Sequence, residues 1–237
     1  MALNTIRNYS PNFNSKKRHL KEIKFIVFHY TGMKKESEAL DRLTNIQSEV
    51  SSHYLIKNNG EIINIVPDLY IAWHAGKSLW NNYKSLNSNS IGIEITNPGH
   101  VQGYKKFSKN QISSLLKLSK FLIKKYNIFS QNILGHSDIA PNRKKDPGEN
   151  FPWEYLSKNK IGLWHTLNKK ELKKDRGFKI NEVEKSVFFN NLFKIGYSKK
   201  VLNKKTLVST FQRRYRQDLI NGKIDQECLL ISKNLAK

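Results

Sequence analysis

Cysteine is nearly missing from this chain: Cys228 stands alone, so no intramolecular disulfide can form. A lone thiol of this kind is expected as a small buried apolar residue. Long apolar runs are missing too. Nothing approaches the roughly 20 residues that a membrane span needs. The opening MALNTIRNYSPNFNSKKRHL lacks the continuous apolar stretch of a secretory signal, which makes the cytoplasm the default expectation. Acidic residues are scarce, 19 against 42 Lys and Arg, for a formal charge of +23. A field of that sign draws in polyanions such as nucleic acid, anionic lipid or acidic wall polymer. The basic residues are spread through the chain and no nucleic-acid motif accompanies them, so no specific nucleic-acid partner is expected.

What is present suits a folded protein. With 38% hydrophobic and 11% aromatic residues over 237 positions, the chain can hold one full domain and a smaller one. Residues 1–22 read as a polar lead-in. Residues 23–29, IKFIVFH, form a short apolar run rich in β-formers, a buried-strand signature that ends on His29. Leu40, Leu43 and Ile46 fall at helical spacing within 35–50. Residues 53–57 and 61–66 flank Asn58-Asn59-Gly60 and predict a hairpin. Residues 79–89 read as a polar loop. In SIGIEIT, 90–96, Ile91, Ile93 and Ile95 alternate with Gly92 and Glu94, which sends Glu94 to the face opposite the isoleucines. Residues 108–126 predict an amphipathic helix capped by Ser108, and 132–136 a last short strand. The fold class expected is α/β: a central mixed β-sheet flanked by helices across 1–167, then a charged linker near 168–179. A small three-helix domain follows at 180–237, with helices at 183–193, 204–215 and 225–235.

The chemistry concentrates in GHSDIAPNRKKDPG, 135–148, where His136, Lys144 and Asp146 share a loop holding two of the chain's six prolines. Catalytic zinc takes three protein ligands from nitrogen, oxygen or sulfur and keeps a fourth position for water. His29, His136 and Asp146 are the natural trio, one Zn2+ per chain. Glu94 is the candidate general base and Lys144 the candidate partner of a developing oxyanion. His53 and His74 are placed near the site, whereas His19, His100 and His165 are expected at the surface.

These segments resemble the zinc-dependent N-acetylmuramoyl-L-alanine amidases of the type 2 group, relatives of phage lysozyme and the peptidoglycan recognition proteins. FIVFHYTG at 25–32, SSHYLIKNNGEI at 51–62, AWHAG at 72–76, SIGIEITN at 90–97, GHSDIAPNRKKDPG at 135–148 and FPWEYLSKNKIGLW at 151–164 run in family order. The resemblance implies the same ligands (His29, His136, Asp146), the same acid/base (Glu94) and the same oxyanion partner (Lys144). Around them His53, Trp73, His74, Ala75, Asn97 and Arg143, all within these segments, are expected to contact substrate. It also implies hydrolysis of the amide between N-acetylmuramic acid, including its 1,6-anhydro form, and L-alanine, on peptidoglycan or muropeptides. A peptidoglycan-recognition module that binds without cleaving is the alternative. FQRRYR at 211–216 and NGKID at 221–225 resemble the peptidoglycan-binding-like helical domain of the outer-membrane lipoprotein branch. That likeness suggests the bacterial cell envelope, although the branch's lipid-attachment signal does not occur in the sequence. Ser52 stands where the phage enzyme has a catalytic tyrosine, which leaves the proton transfer to Glu94. A monomer without a transmembrane segment is expected.

Overall fold

In the computed structural model, which describes residues 5–201 and 203–237, the apolar run ending at His29 is the longest ladder of a six-stranded sheet. Its strands are β1 (Ile6–Arg7), β2 (Phe25–Tyr30), β3 (Tyr54–Ile56), β4 (Ile62–Asn64), β5 (Ser90–Ile95) and β6 (Ile133–Gly135). Their spatial order is β1-β4-β3-β5-β2-β6. Only the β3–β4 hairpin is antiparallel, and the remaining neighbours run parallel. Parallel strands are covered on both faces, which is why β2 reads as a continuous apolar run rather than an alternating one.

One face packs against the helix Lys109–Tyr126. Ser108 caps it in the expected way: its hydroxyl accepts from the Gln111 amide at 3.1 Å, and the Gln111 side chain accepts from the Ser108 amide at 2.9 Å. Leu115, Leu118 and Leu122 then meet Ile26, Phe28, Ile91, Ile93 and Ile95. Each buried side chain of this size contributes about 1.5–3 kcal/mol relative to exposure.

The other face divides. Toward β3 and β4, Leu55 and Ile63 pack with Leu43, Val66 and Ala72. Toward β2 and β6, Phe25, Val27 and Leu134 pack with Phe188, Leu192, Leu207, Phe211 and Leu229 of three C-terminal helices, Glu182–Ile195, Lys204–Tyr215 and Gln226–Leu235. Trp80 joins this core, and its ring lies so close to Gly196 (φ 131°) that a Cβ there would come within 2.4 Å of it.

Four sequence expectations change. The charged stretch read as a linker contains the helix Lys169–Lys174, because its one apolar residue, Leu172, docks into the core of the C-terminal helices. The polar lead-in is structured: β1 joins the sheet and Phe13–Asn14 pairs with Ile71–Ala72. Arg18, 6% exposed, donates to the carbonyls of Asp68, Asn87, Ser88 and Ser90. Two-residue strands and distant carbonyl partners leave no periodic signal. The helix predicted over 35–50 stops at Thr44, and Ile46 sits 68% exposed on a separate turn that Asn45 caps. Within 79–89 a short ribbon, Leu79–Trp80 with Tyr83–Lys84, anchors the loop through Trp80.

Candidate metal centre and active-site cleft

Strand register assembles the site. His29 is the direct partner of Glu94 across the parallel β2–β5 ladder, so both side chains leave the sheet on the same face. On the other side of β2, Gly135 pairs with Phe28, which places His136 at the strand end beside His29. The backbone turns at once into the short helix His136–Ile139, and the Ser137 amide donates to the carbonyl of Asp146 at 2.8 Å. That bond folds the proline-stiffened loop back on itself and returns the Asp146 carboxylate to the two histidines.

The three groups converge. Nδ1 of His29 lies 2.9 Å from Nδ1 of His136, and Oδ2 of Asp146 lies 3.1 and 3.0 Å from them. All three residues are buried. The surrounding hydrogen bonds fix which ring nitrogens carry protons. Ser90 donates its hydroxyl to the Leu86 carbonyl at 2.6 Å, so its oxygen accepts from Nε2–H of His74 at 3.1 Å. His74 Nδ1 is therefore an acceptor for Nε2–H of His29, 3.0 Å away, and His29 presents a bare Nδ1 inward. On His136, Nε2–H donates to the Ala75 carbonyl at 3.2 Å. Arg143 Nη2 lies near that nitrogen but spends its own protons on the carbonyls of Ala75 and Lys77. Two bare nitrogens and a carboxylate oxygen thus face one another with no proton between them. Three buried acceptors at such distances suit a shared cation, and outward N–H groups held by second partners are the usual support of metal-binding histidines. The residues fit a metal site, and among the described residues this trio is the group with suitable ligand atoms.

The charges respond to this crowding. Burial and then the neighbouring His136 bring the His29 imidazole down to about 4. Burial, followed by His29 and His53, keeps His74 well below its ordinary value. Burial alone would raise the Asp146 carboxyl, but positive charge on His136 and His29 outweighs it whenever they are protonated and holds the group far below the usual carboxylate range. Glu94 goes the other way: burial, then the charge of Asp146, pushes it up to about 8, while Lys144 and Arg42 pull it back. Its Oε2 is inaccessible and has no hydrogen-bond partner among the described residues.

The trio opens into a cleft of about 630 Å³ lined by Glu94, His136 and Asp146 together with Trp73, His74, Arg143, Lys144 and Lys145. Tyr30, Arg42 and His100 line it as well. Of the residues expected at the substrate, Trp73, His74 and Arg143 are therefore on the cleft wall. The others serve from behind it. His53 is fully buried, its Nδ1 accepting from the Gly92 amide and its Nε2–H donating to the Tyr70 carbonyl. Ala75 contributes its carbonyl to His136 and Arg143, and Asn97 binds the Lys105 carbonyl and the Gly99 amide. Ser52, too, turns inward to the Tyr54 carbonyl.

Residues 19–149 match the model of the family described as N-acetylmuramoyl-L-alanine amidase. The chain belongs to that family. Within it, AmiD of Escherichia coli (strain K12) is 35% identical over 229 residues, which are 90% of this chain and 82% of AmiD. The solved complex of E. coli AmiD with the substrate anhydro-N-acetylmuramic acid-L-Ala-D-gamma-Glu-L-Lys matches at a TM-score of 0.78 and 34% identity. That match covers 90% of this chain and 88% of the other. The crystal structure of AmpDh3 from Pseudomonas aeruginosa matches at a TM-score of 0.80 and 28% identity, over 95% of each chain.

Several residues of the site gave no sequence signal. Ser90 opens a strand and its link to His74 depends on Gly92, where a Cβ would come within 2.4 Å of the His74 ring. His100, expected at the surface, bonds the Tyr30 hydroxyl at 2.9 Å and Glu149 at 3.0 Å on the cleft rim. His165, likewise expected outside, is 9% exposed and stacks on Trp164. Only a chain-wide search for small residues opposite a histidine could have flagged the Gly92 and His74 pair.

Proposed function

We propose that this chain is a zinc-dependent N-acetylmuramoyl-L-alanine amidase. It hydrolyses the amide between the lactyl group of N-acetylmuramic acid, including the 1,6-anhydro form, and the L-alanine of the stem peptide. The observation that carries this reading is the meeting of three buried acceptors in one cleft with a glutamate whose Oε2 has no partner among the described residues, in a chain of this family. His29, His136 and Asp146 would hold the ion. A bound zinc ion supplies Lewis acidity to the scissile carbonyl and to the attacking water. Glu94 takes the water's proton and delivers it to the departing amine, so it ends the cycle as it began. Lys144 faces the negative charge that grows on the carbonyl oxygen. Trp73 and Arg143 border the groove in which the muropeptide lies.

A module that binds peptidoglycan without cleaving it needs neither a complete ligand trio nor a carboxylate beside it, and both are present here. Residues 180–237 are read as a peptidoglycan-binding-like unit that keeps wall polymer near the cleft. Among the described residues no helix is long and apolar enough to cross a membrane, and the substrate assigns the protein to bacterial wall material or its fragments. The test is to incubate the protein with anhydro-muropeptide and with intact sacculi, with zinc or with chelator. Stem peptide with a free L-alanine amine is expected only in the zinc samples. Zinc-loaded protein that released none from either substrate would sink the proposal.

A further inference from the structure

Asp138 takes no part in the cleft, yet it is 1% exposed and three donors meet it. Its Oδ2 accepts from the Gly135 amide at 2.8 Å and from Arg214 Nη1, and its Oδ1 accepts from the Tyr197 hydroxyl at 2.8 Å. Arg214 also donates through Nη2 to the Ile133 carbonyl at 3.0 Å, and its guanidinium lies 4.1 Å from the centroid of the Trp153 ring. Arg214 and Tyr197 are themselves 3% and 2% exposed. Arg214 belongs to the helix Lys204–Tyr215, and Tyr197 follows the helix Glu182–Ile195. Side chains from the C-terminal helices therefore grip both ends of one junction: Ile133 in β6, and Asp138 in the turn after it. His136 stands between the gripped points. The Ser137 amide, inside the same turn, sets the spacing to Asp146.

A buried ion pair adds little net stability, because desolvation offsets its attraction, whereas removing one partner leaves an uncompensated buried charge. The hydrogen-bond partners behind metal ligands tune affinity through orientation. We infer that Arg214 and Tyr197, acting through Asp138, are positioning residues for His136, so that the C-terminal helices set the affinity of the metal centre. The FQRRYR segment would then serve the site directly, whatever else the helices bind.

The inference rests on the reading of His136 as a ligand, and the experiment separates the two. Wild type, Tyr197→Phe and Arg214→Lys are stripped with chelator and titrated with Co2+, followed by visible absorption. Thermal unfolding of the metal-free forms is measured alongside, with kcat and KM on anhydro-muropeptide after zinc loading. Both variants are expected to bind Co2+ more weakly, at or below the low end of the roughly 10–100-fold loss that follows removal of a ligand's direct hydrogen-bond partner, because Asp138 reaches His136 only through the backbone. Their Co2+ spectra should change, and kcat should fall with KM unchanged. Tyr197→Phe removes one hydroxyl and keeps the ring in the core, so it answers the question even if the arginine variant does not fold. Folded variants with wild-type Co2+ affinity, spectrum and kcat, differing only in unfolding temperature, overturn the positioning role. A wild type that takes up no Co2+ overturns the ligand reading and the inference with it.

Discussion

The helix Lys109–Tyr126 covers its face of the sheet with an unbroken apolar layer, whereas the opposite face changes character along the strands. On that second face Phe25 and Val27 pack against the C-terminal helices, and two residues later the same row of side chains reaches His29. In β5 the row runs from Gly92 to Glu94. One face is therefore devoted to stability from end to end, and the other hands over from packing to chemistry within one pleat. Gly92 marks the handover, since its missing side chain admits the His74 ring that supports His29. Function occupies the carboxyl ends of the strands because parallel strands deliver their ends to one edge, where neighbouring loops can close over them.

This contrast can be broken at graded strengths. Glu94→Gln keeps the shape of the second face and removes its proton carrier, so kcat on anhydro-muropeptide should fall about 10²–10⁴-fold with the apolar face untouched. The same variant tests the electrostatics. In metal-free protein the folded Glu94 carboxyl, at about 8, holds a proton that the unfolded chain releases near its ordinary value. The folded state therefore binds the extra proton between those values, and stability falls as pH rises through that window. Denaturant melts of metal-free Glu94→Gln should lack this decline, and parallel pH profiles for the two proteins would refute the assignment. Leu118→Ala acts on the other face. It should cost about 2–5 kcal/mol of stability, read by urea unfolding, and leave the kcat of the folded enzyme unchanged. Ser90→Ala is the mildest. It removes the acceptor that orients His74, and zinc affinity in a chelator competition should weaken about tenfold or somewhat more.

Much of the site was legible in the sequence because strand alternation carries it. The isoleucines of SIGIEIT place Glu94, and the apolar run before His29 places that histidine at a strand end. The loop 135–148 announces itself by its prolines and its spacing of polar groups. What escaped was set by distance in the chain rather than by pattern. The link from Ser90 to His74 spans a loop, Asp138 meets partners 59 and 76 residues away, and Leu172 had no periodic company. His53 and Asn97 lie in segments that resemble the family's, but their side chains face inward, which adjacency in sequence does not reveal. Arg18 was invisible for a plainer reason: carbonyls accept from any donor, so nothing near an arginine announces that it is the one they need.

That arginine bears on where the catalytic unit ends. The segment that matches the family begins at residue 19, one position after the guanidinium that gathers the carbonyls of Asp68, Asn87, Ser88 and Ser90. Excising residues 19–149 would leave the buried carbonyls of Asp68 and Ser90 without that donor, at about 1–3 kcal/mol for each group left unsatisfied. It would also strip Phe25 and Val27 of their cover. The family match and the packed core of this chain therefore end at different places, one side chain apart at the front and three helices apart at the back.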